Sequence, residues 1–357
     1  MPLVDATRKK FEALERVADV RVLASAADAD PPDDETFHLV KPVRPRLLDG
    51  LAFHVSLPMR VARELRDFEP DAVLVHGAHD VPAVLLGRRL ARSNARIVLD
   101  LHGDWHTSAR LYGSSLRRIV APLVDLFAKT GVRRADGVRT LSDFTTDLVR
   151  EEGVEPLAEF PAFVDFGLYR QLPRVPLPAR ATLLFVGVLE DYKGVDVLAE
   201  AWREAAPRVP DAELKLVGRG AKTELVEELL VDLPRQTRWY PQLEQAELVG
   251  ELDGSTALVL PSRSEGLPRI VLESFCRGRP VVAARAGGVV DLVRDGENGV
   301  LVDVEDPSAL ADALVDVLLD PAWADELAEG AARSAADWLA TPAEYAARVR
   351  DLVASLD

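Results

Sequence analysis

Residues 256–284 constrain the fold of this 357-residue chain more than any other stretch. Thr256-Ala-Leu-Val-Leu-Pro261 is a short apolar run bounded by turn residues, and it reads as a buried parallel strand with Ser262-Arg-Ser-Glu-Gly266 as its exit loop. Pro268 opens a helix, because proline is favoured at the first helical position, and the amides of Arg269, Ile270 and Val271 are then left facing outward. The positive end of the helix dipole lies behind those amides, which makes the helix start a ready anion site. Cys276-Arg-Gly-Arg-Pro280 stops the helix with a glycine and a following proline, and Val281-Val-Ala-Ala284 begins the next strand. Glu265 falls just before the anion site and Glu273 about one turn inside the helix. An ionised carboxylate accepts strong hydrogen bonds from hydroxyls, so the two can grip sugar on either side of a bound pyrophosphate.

Strand and helix signals alternate along the rest of the chain, which implies parallel sheets covered by helices. A helix is expected near Asp5 to Val17, a strand at Asp19-Val-Arg-Val-Leu23, and a helix from Pro58 to Phe68. Strands follow at Asp71-Ala-Val-Leu-Val75, Arg96-Ile-Val-Leu-Asp100 and Asp136-Gly-Val-Arg-Thr140, with helices from Val81 to Ser93 and from Asp143 to Glu152. Ser142 is explained as the cap of the last of these. The length exceeds what one core usually serves, so two domains are expected. The segment from Pro161 to Ala179, with Pro173, Pro176 and Pro178, reads as a stiff, exposed linker. The domains are then 1–172 and 173–335, and a final amphipathic segment lies within 336–357.

The net charge is -16, which argues against nucleic-acid binding, since phosphate neutralisation needs clustered Lys and Arg. The basic residues are overwhelmingly arginine, and an acidic, lysine-poor surface also fits adaptation to high salt. Cys276 is alone, so no disulfide framework forms, which suits a reducing, cytoplasmic compartment. It reads as a packed small hydrophobe. No apolar run reaches the ~18 residues of a membrane span. Residues 116–134 form a basic, apolar stretch at helical spacing. It is either an ordinary core helix with arginine ends or a peripheral contact with the inner face of a membrane.

The stretch around Glu265 and Glu273 resembles the signature of the retaining glycosyltransferases of family 4, a Glu-x7-Glu motif in enzymes of the two-domain GT-B architecture. Leu183-Leu-Phe-Val-Gly187 through Lys193-Gly194 resembles the strand and phosphate turn that open that family's C-terminal domain. Leu214-Lys-Leu-Val-Gly-Arg-Gly220 resembles its second strand and glycine turn, and Ala286-Gly-Gly288 with Asp295-Gly-Glu-Asn-Gly299 its later loops. Residues 181–320 match specifically and residues 65–180 more loosely. The resemblance implies two Rossmann-like, doubly wound parallel sheets facing a cleft, with the last helix packing back on the N-terminal domain. It also implies a nucleotide-diphosphate sugar as donor, an acceptor hydroxyl on a glycan, glycolipid or small molecule, no cofactor and no metal.

Carried over by motif position, Glu265 contacts the transferred sugar, Glu273 the ribose, and Lys193 the diphosphate. Gly187, Gly218, Arg219, Gly266, Leu267, Pro268 and Arg269 complete the donor site, and Trp239 and Tyr240 lie where the nucleobase is held. His102, at the end of a strand where open α/β sheets bind ligands, faces the reacting sugar. With no nucleophile in the match, the implied reaction is a front-face displacement in which the leaving diphosphate takes the acceptor proton.

The chain departs from the family in two places. Val188 stands where an arginine partner of Lys193 is expected, and Arg269 or Arg263 is the candidate replacement. The sequence also begins with what reads as the first helix, without the family's first strand and glycine loop: either the start is assigned too far downstream, or the donor site is incomplete on that side. These departures keep open a second reading, a catalytically weak or inactive sugar-nucleotide-binding protein of the same fold. A glycoside hydrolase using the two glutamates as acid and base is a further rival. A metal site from His76, His79 and Asp80 is a minor alternative to a structural role for those residues.

Overall fold

The computed structural model describes residues 5–26, 35–41, 49–105 and 115–356. Two compact units emerge, one of Met1–Ala109 and Ser115–Asp165 joined by Ala340–Asp357, the other essentially Phe166–Leu339.

The first unit runs α1 (Asp5–Glu15), β1 (Val22–Ser25), β2 (Phe37–Val40), α2 (Asp49–Phe68), β3 (Ala72–Val75), α3 (Val81–Ala91), β4 (Arg96–Asp100), α4 (Ser115–Arg134), β5 (Gly137–Thr140), α5 (Asp143–Glu151) and β6 (Ala158–Glu159). Its strands pair in parallel, but in two sheets: β1 with β2, and the order β3-β4-β5-β6. In a doubly wound order the first strand lies between the second and the fourth. The break between β1 and β3 falls there, and no strand bridges it among the described residues. The strand expected at Asp19–Leu23 forms three residues later, pairing Val22 with Phe37. Helix α2 begins at Asp49 and carries Pro58 inside it, so that proline does not start the helix. The sheet residues Ile97 and Leu99 are fully buried against Val61 and Val84 of the helices. Thr145 secures the start of α5, where its hydroxyl accepts from the amides of Leu141 and Ser142, the latter in the N-cap position.

The second unit continues with α6 (Gly167–Gln171), β7 (Thr182–Val186), a 3-10 turn (Asp191–Lys193), α7 (Val195–Ala205), β8 (Glu213–Val217), α8 (Thr223–Asp232), β9 (Thr237–Tyr240), α9 (Gln245–Asp253), β10 (Ala257–Leu260), α10 (Arg269–Cys276), β11 (Val281–Ala284), α11 (Val289–Leu292), β12 (Gly299–Val302), α12 (Pro307–Leu319) and α13 (Pro321–Trp338). A last helix, α14 (Pro342–Ala354), belongs to the first unit, where its Tyr345 packs beside Phe160. Helices α12, α13 and α14 each start with a proline after a capping side chain. Asp306, Asp320 and Thr341 accept from the amides of Ala309, Trp323 and Glu344, each cap contributing about 1 kcal/mol.

The six strands of the second unit are all parallel, in the order β12-β11-β10-β7-β8-β9. Numbered along the unit, this is 3-2-1-4-5-6, the doubly wound arrangement. Leu183, Phe185, Leu214 and Leu216 of β7 and β8 bury one face against Trp202 of α7 and Leu314 of α12.

The proline-rich stretch after residue 166 is held more firmly than a linker would be. Arg277 is buried, binds Asp253 through two nitrogens at 2.7 and 2.8 Å, and donates to the carbonyls of Tyr169, Leu172 and Pro173. Arg279, also buried, donates to the carbonyls of Val175 and Pro176. The side chains of residues 171–176 are exposed, but their backbone is tied to the second unit. No described helix is long and apolar enough to cross a membrane. In α4, Leu126 and Phe127 face solvent, whereas Lys129 and Arg133 turn to the buried Glu152, which neutralises part of the expected basic face.

Candidate functional site

The switch point of the second sheet lies between β7 and β10, where the strand order reverses and the loops leave in opposite directions. Lys193 follows β7 and Glu265 follows β10, and the sheet brings them together: Lys193 Nζ donates to Glu265 Oε1 at 2.6 Å. Ser262 Oγ donates to the same oxygen at 2.6 Å. Both charged side chains are largely withdrawn from water, with 14% and 9% of their surface exposed.

Two glycines permit this approach. Gly194 has φ +64°, and a Cβ there would overlap the carbonyl of Pro261, so the β7 turn and the β10 loop touch backbone to backbone. Gly218 has φ +139°, and its Cβ would overlap the carbonyl of Gly187, which draws the β8 turn onto the β7 turn. Gly187 itself lies beside the stem of Lys193, with room for a Cβ at 3.6 Å from Cδ and Cε. Arg219 is exposed beyond that turn and donates to Gln242 at 2.6 Å.

Glu273 lies inside α10 and is buried. Arg269, one turn earlier, donates to its Oε1 at 2.6 Å, and the hydroxyl of Tyr169 also reaches it. Burial raises the Glu273 carboxyl above its ordinary value, against the pull of Arg269 and Tyr169. The helix starts one residue later than expected. Pro268 is its N-cap and accepts the Val271 amide at 3.1 Å, so of the three amides predicted to face outward, that of Val271 is committed. Gly266 and Leu267, half-buried, bridge Glu265 to this cap.

Of the two candidate replacements for the missing arginine, Arg263 is committed elsewhere, whereas Arg269 is engaged through its Nε. Val188 is 47% exposed and brings no charge. Arg263 is bound to both oxygens of Asp196 at 2.8 Å, to Glu305 and to the carbonyl of Asp191, so it pins the β10 loop to α7. Arg269 is half-exposed but paired with Glu273. Trp239 donates to the Gly218 carbonyl at 2.8 Å and packs on the core, which gives it a structural task beside any base contact; Tyr240 is half-buried next to it. Cys276 is buried and its thiol is pushed up to about 11 by burial.

The first unit carries a separate cluster. β3 and β4 pair Val75 with Leu99, so the residues just beyond them, His76 on one side and Asp100 and His102 on the other, converge at the strands' C-terminal ends. His102 Nε2 is 3.1 Å from Asp100 Oδ2, His76 Nδ1 is 3.0 Å from the same oxygen, and the two nitrogens are 3.0 Å apart. Asp100 Oδ1 is bound by buried Arg139. Burial alone would raise the Asp100 carboxyl; hydrogen bonds from His102 and His76 and the charge of Arg139 instead hold it well below the usual range. The grouping of His76 with His79 and Asp80 does not occur. His79 and Asp80 meet His54 of α2 instead, with His54 Nδ1 at 2.9 Å from Asp80.

Sequence reasoning missed Ser262, Tyr169, Asp100, His76 as a partner of His102, and Arg139. Asp100 and Arg139 carried a usable signal, charge placed inside apolar strand runs; the others depend on contacts that no local pattern marks.

The fold and this site define a GT-B glycosyltransferase. Residues 11–166 match the model described as Glycosyltransferase Family 4, and residues 180–320 that described as Glycosyl transferases group 1. The chain belongs to family 4 of the glycosyltransferases, group 1. A D-inositol 3-phosphate glycosyltransferase of Nocardioides is 32% identical over 252 residues, covering 64% of this chain and 53% of that protein. The chain thus spans about half the length of the curated relatives it matches first. Sucrose-phosphate synthase of Thermosynechococcus elongatus superposes with a TM-score of 0.80 at 20% identity, over 98% of this chain and 92% of that one. An Anabaena protein solved with UDP-glucose superposes with a TM-score of 0.65 at 18% identity, over 89% and 85%.

Proposed function

We propose that the second unit binds a nucleotide-diphosphate sugar at its switch point and that the protein transfers the sugar to an acceptor hydroxyl with retention. The observation that carries this is the Lys193–Glu265 pair, an ammonium and a carboxylate held side by side at the crevice where doubly wound sheets take nucleotides. Lys193 is directed at the diphosphate, Glu265 at the sugar hydroxyls and Glu273 at the ribose. In the reaction the anomeric carbon–oxygen bond to the diphosphate breaks, a bond to the acceptor oxygen forms, and the acceptor proton passes to the departing phosphate oxygen. The protein's share is position and charge: Lys193 and the α10 start stabilise the leaving group. Diphosphate binding of this kind calls for no divalent metal in the donor unit. His102 is assigned to the acceptor side of the reacting sugar. The two glutamates serve no hydrolase, because Glu265 is paired to Lys193 and Glu273 to Arg269.

The setting proposed for this activity is the cytoplasm, with the acceptor on a glycan, a glycolipid or a small molecule. Exposed Leu126 and Phe127 on α4 support a peripheral lipid contact. A second reading, sugar-nucleotide binding with little or no transfer, is favoured by one observation: Val188 is neutral and Arg263 is committed to Asp196 and Glu305, so neither supplies Lys193 with the arginine partner that the resemblance leads one to expect. Native mass spectrometry against a panel of UDP, GDP and ADP sugars tests both. A bound sugar nucleotide whose slow hydrolysis stops in Glu265→Gln supports transfer, and binding without turnover supports the second reading. No binding by any of the panel defeats both.

A further inference from the structure

We infer that Arg263 is a positioning residue of the donor site: it braces the turn that carries Lys193 against the loop that carries Glu265, with none of its own donors directed at a ligand. A guanidinium presents five N–H groups in a fixed fork, and here five acceptors meet them. Nε and Nη2 donate to the two oxygens of Glu305, Nη1 and Nη2 donate to the two oxygens of Asp196 at 2.8 Å, and Nη1 donates also to the carbonyl of Asp191. No donor is left over for a phosphate, although the residue lies only two positions before Glu265 in the same loop.

What these bonds hold is the backbone around Lys193. The amide of Arg263 donates to the carbonyl of Tyr192 at 2.8 Å, and its side chain takes the carbonyl of Asp191. Two of the three residues in the 3-10 turn Asp191–Lys193 are therefore bound by this one arginine. Asp196 lies in the first turn of α7, directly after that 3-10 turn, so the bidentate pair also fixes where α7 begins. From another side, Lys222 Nζ holds the Asp191 carboxylate at 2.6 Å. Lys193 is presented from a fastened turn, and Arg263 sets that turn beside the β10 loop where the ammonium meets Glu265.

Glu305 is shaped for this contact. In the connection between β12 and α12 it has a left-handed backbone, φ +64°, which is disfavoured for a residue with a side chain and persists where surrounding contacts over-determine it. The contacts here are its two bonds to Arg263. Burial alone would raise the Asp196 carboxyl; the hydrogen bonds and charge of Arg263 hold it below its ordinary value. The Arg263 side chain is 15% exposed, whereas those of Asp196 and Glu305 are 42% and 58% exposed. Removing the arginine thus leaves two carboxylates that water can reach, and folding is not threatened. Lysine is no substitute, because one ammonium cannot span two carboxylates and a carbonyl with the geometry of the fork.

This inference rests on the donor reading of Lys193 and Glu265, and the test separates the two. Arg263→Met is made in the parent and in Lys193→Met, and the full-length proteins are titrated calorimetrically with UDP, GDP and ADP. A residue that acts through Lys193 weakens the bound diphosphate roughly fivefold or more in the parent, but about twofold or less once Lys193 is gone. Arg263→Lys is expected to fall nearer to Arg263→Met than to the parent. Equal losses in both backgrounds, unchanged affinity in Arg263→Met, or full rescue by lysine overturns the inference. Urea unfolding reads the brace without ligand: the coupling between Lys193→Met and Glu265→Gln should fall by about half or more in Arg263→Met, and an unchanged coupling also overturns it. A parent that binds none of the three diphosphates removes the donor reading, and the unfolding cycle alone then upholds or overturns the brace.

Discussion

Replacing Lys193 with methionine isolates the electrostatic core of the proposed donor site. Methionine keeps the length and apolar stem that run beside Gly187, so packing changes little. What goes is one ammonium with three donors. The ammonium reaches Glu265 at 2.6 Å, and a bound diphosphate would compete for it. A charge-assisted hydrogen bond contributes about 1.5–3 kcal/mol, so losing one to a diphosphate weakens binding roughly 10- to 150-fold. Folding suffers separately. Glu265, 9% exposed, keeps only the Ser262 hydroxyl, and an under-partnered buried carboxylate costs about 1–3 kcal/mol. In a unit of this size that lowers the melting temperature by roughly 2–4 °C per kcal/mol. Calorimetric titration with UDP and UDP-glucose, ligands of the Anabaena structural neighbours, measures the first effect, and thermal denaturation the second. A variant that melts lower but binds UDP as the parent does would show Lys193 to be a structural ion and refute its role at the diphosphate.

Two further outcomes follow from the buried charges. Arg277→Met leaves the Tyr169 carbonyl without its partner and strips Asp253 of two bonds, so a destabilisation of about 3–5 kcal/mol is expected in urea unfolding; a loss under 1 kcal/mol would mean the arginine clamp is incidental. Glu273 gives a pH signature. Its raised folded-state pKa means the fold favours the protonated form, so its contribution is fully present below the unfolded value of 4.5 and is lost as pH rises through the folded value. Glu273→Gln should therefore flatten the fall in melting temperature from pH 4.5 to neutrality, and an unchanged slope would place the titration elsewhere.

The parts of the site legible in the sequence were those set by local order. Glu265 and Glu273 sit in one strand–loop–helix unit, and their spacing survives folding with a shift of one residue at Pro268. Lys193 was placed by its turn after β7, and the sheet order, which brings β7 beside β10, explains why it meets Glu265. What escaped notice depends on register or on long side chains. His76 joins His102 rather than His79 because Val75 pairs with Leu99, which sets the ends of β3 and β4 side by side, while His79 lies in the turn that leads into α3. Arg277 and Arg279 read as part of a helix stop, yet they reach back over 100 positions to hold the backbone of the segment that reads as a stiff, exposed linker. Pro58 misled because proline marks helix starts statistically, whereas packing of α2 on α3 supports a helix through it.

The arrangement of ions also fixes which ligand the donor unit should prefer. Without ligand the site is internally balanced: Lys193 holds Glu265, and Arg269 holds Glu273. A diphosphate alone competes with Glu265 for Lys193 and leaves the carboxylate with Ser262 as its remaining donor. A complete sugar nucleotide offers the phosphate to Lys193 and hydroxyl donors to Glu265 together, so both members of the broken pair are satisfied at once. On the proposed reading the sugar contributes beyond its own contacts, by repairing what the diphosphate disturbs. Glu265→Gln separates these roles. It frees Lys193 from its competitor, so UDP should bind as tightly as before or more tightly, while the sugar nucleotide loses a charged acceptor worth about 1.5–3 kcal/mol. The ratio of UDP-glucose to UDP affinity should accordingly fall by tenfold or more, measured by titration calorimetry. Equal losses for the two ligands would mean that Glu265 acts only by holding Lys193 in place, and its assignment to the sugar would have to be withdrawn.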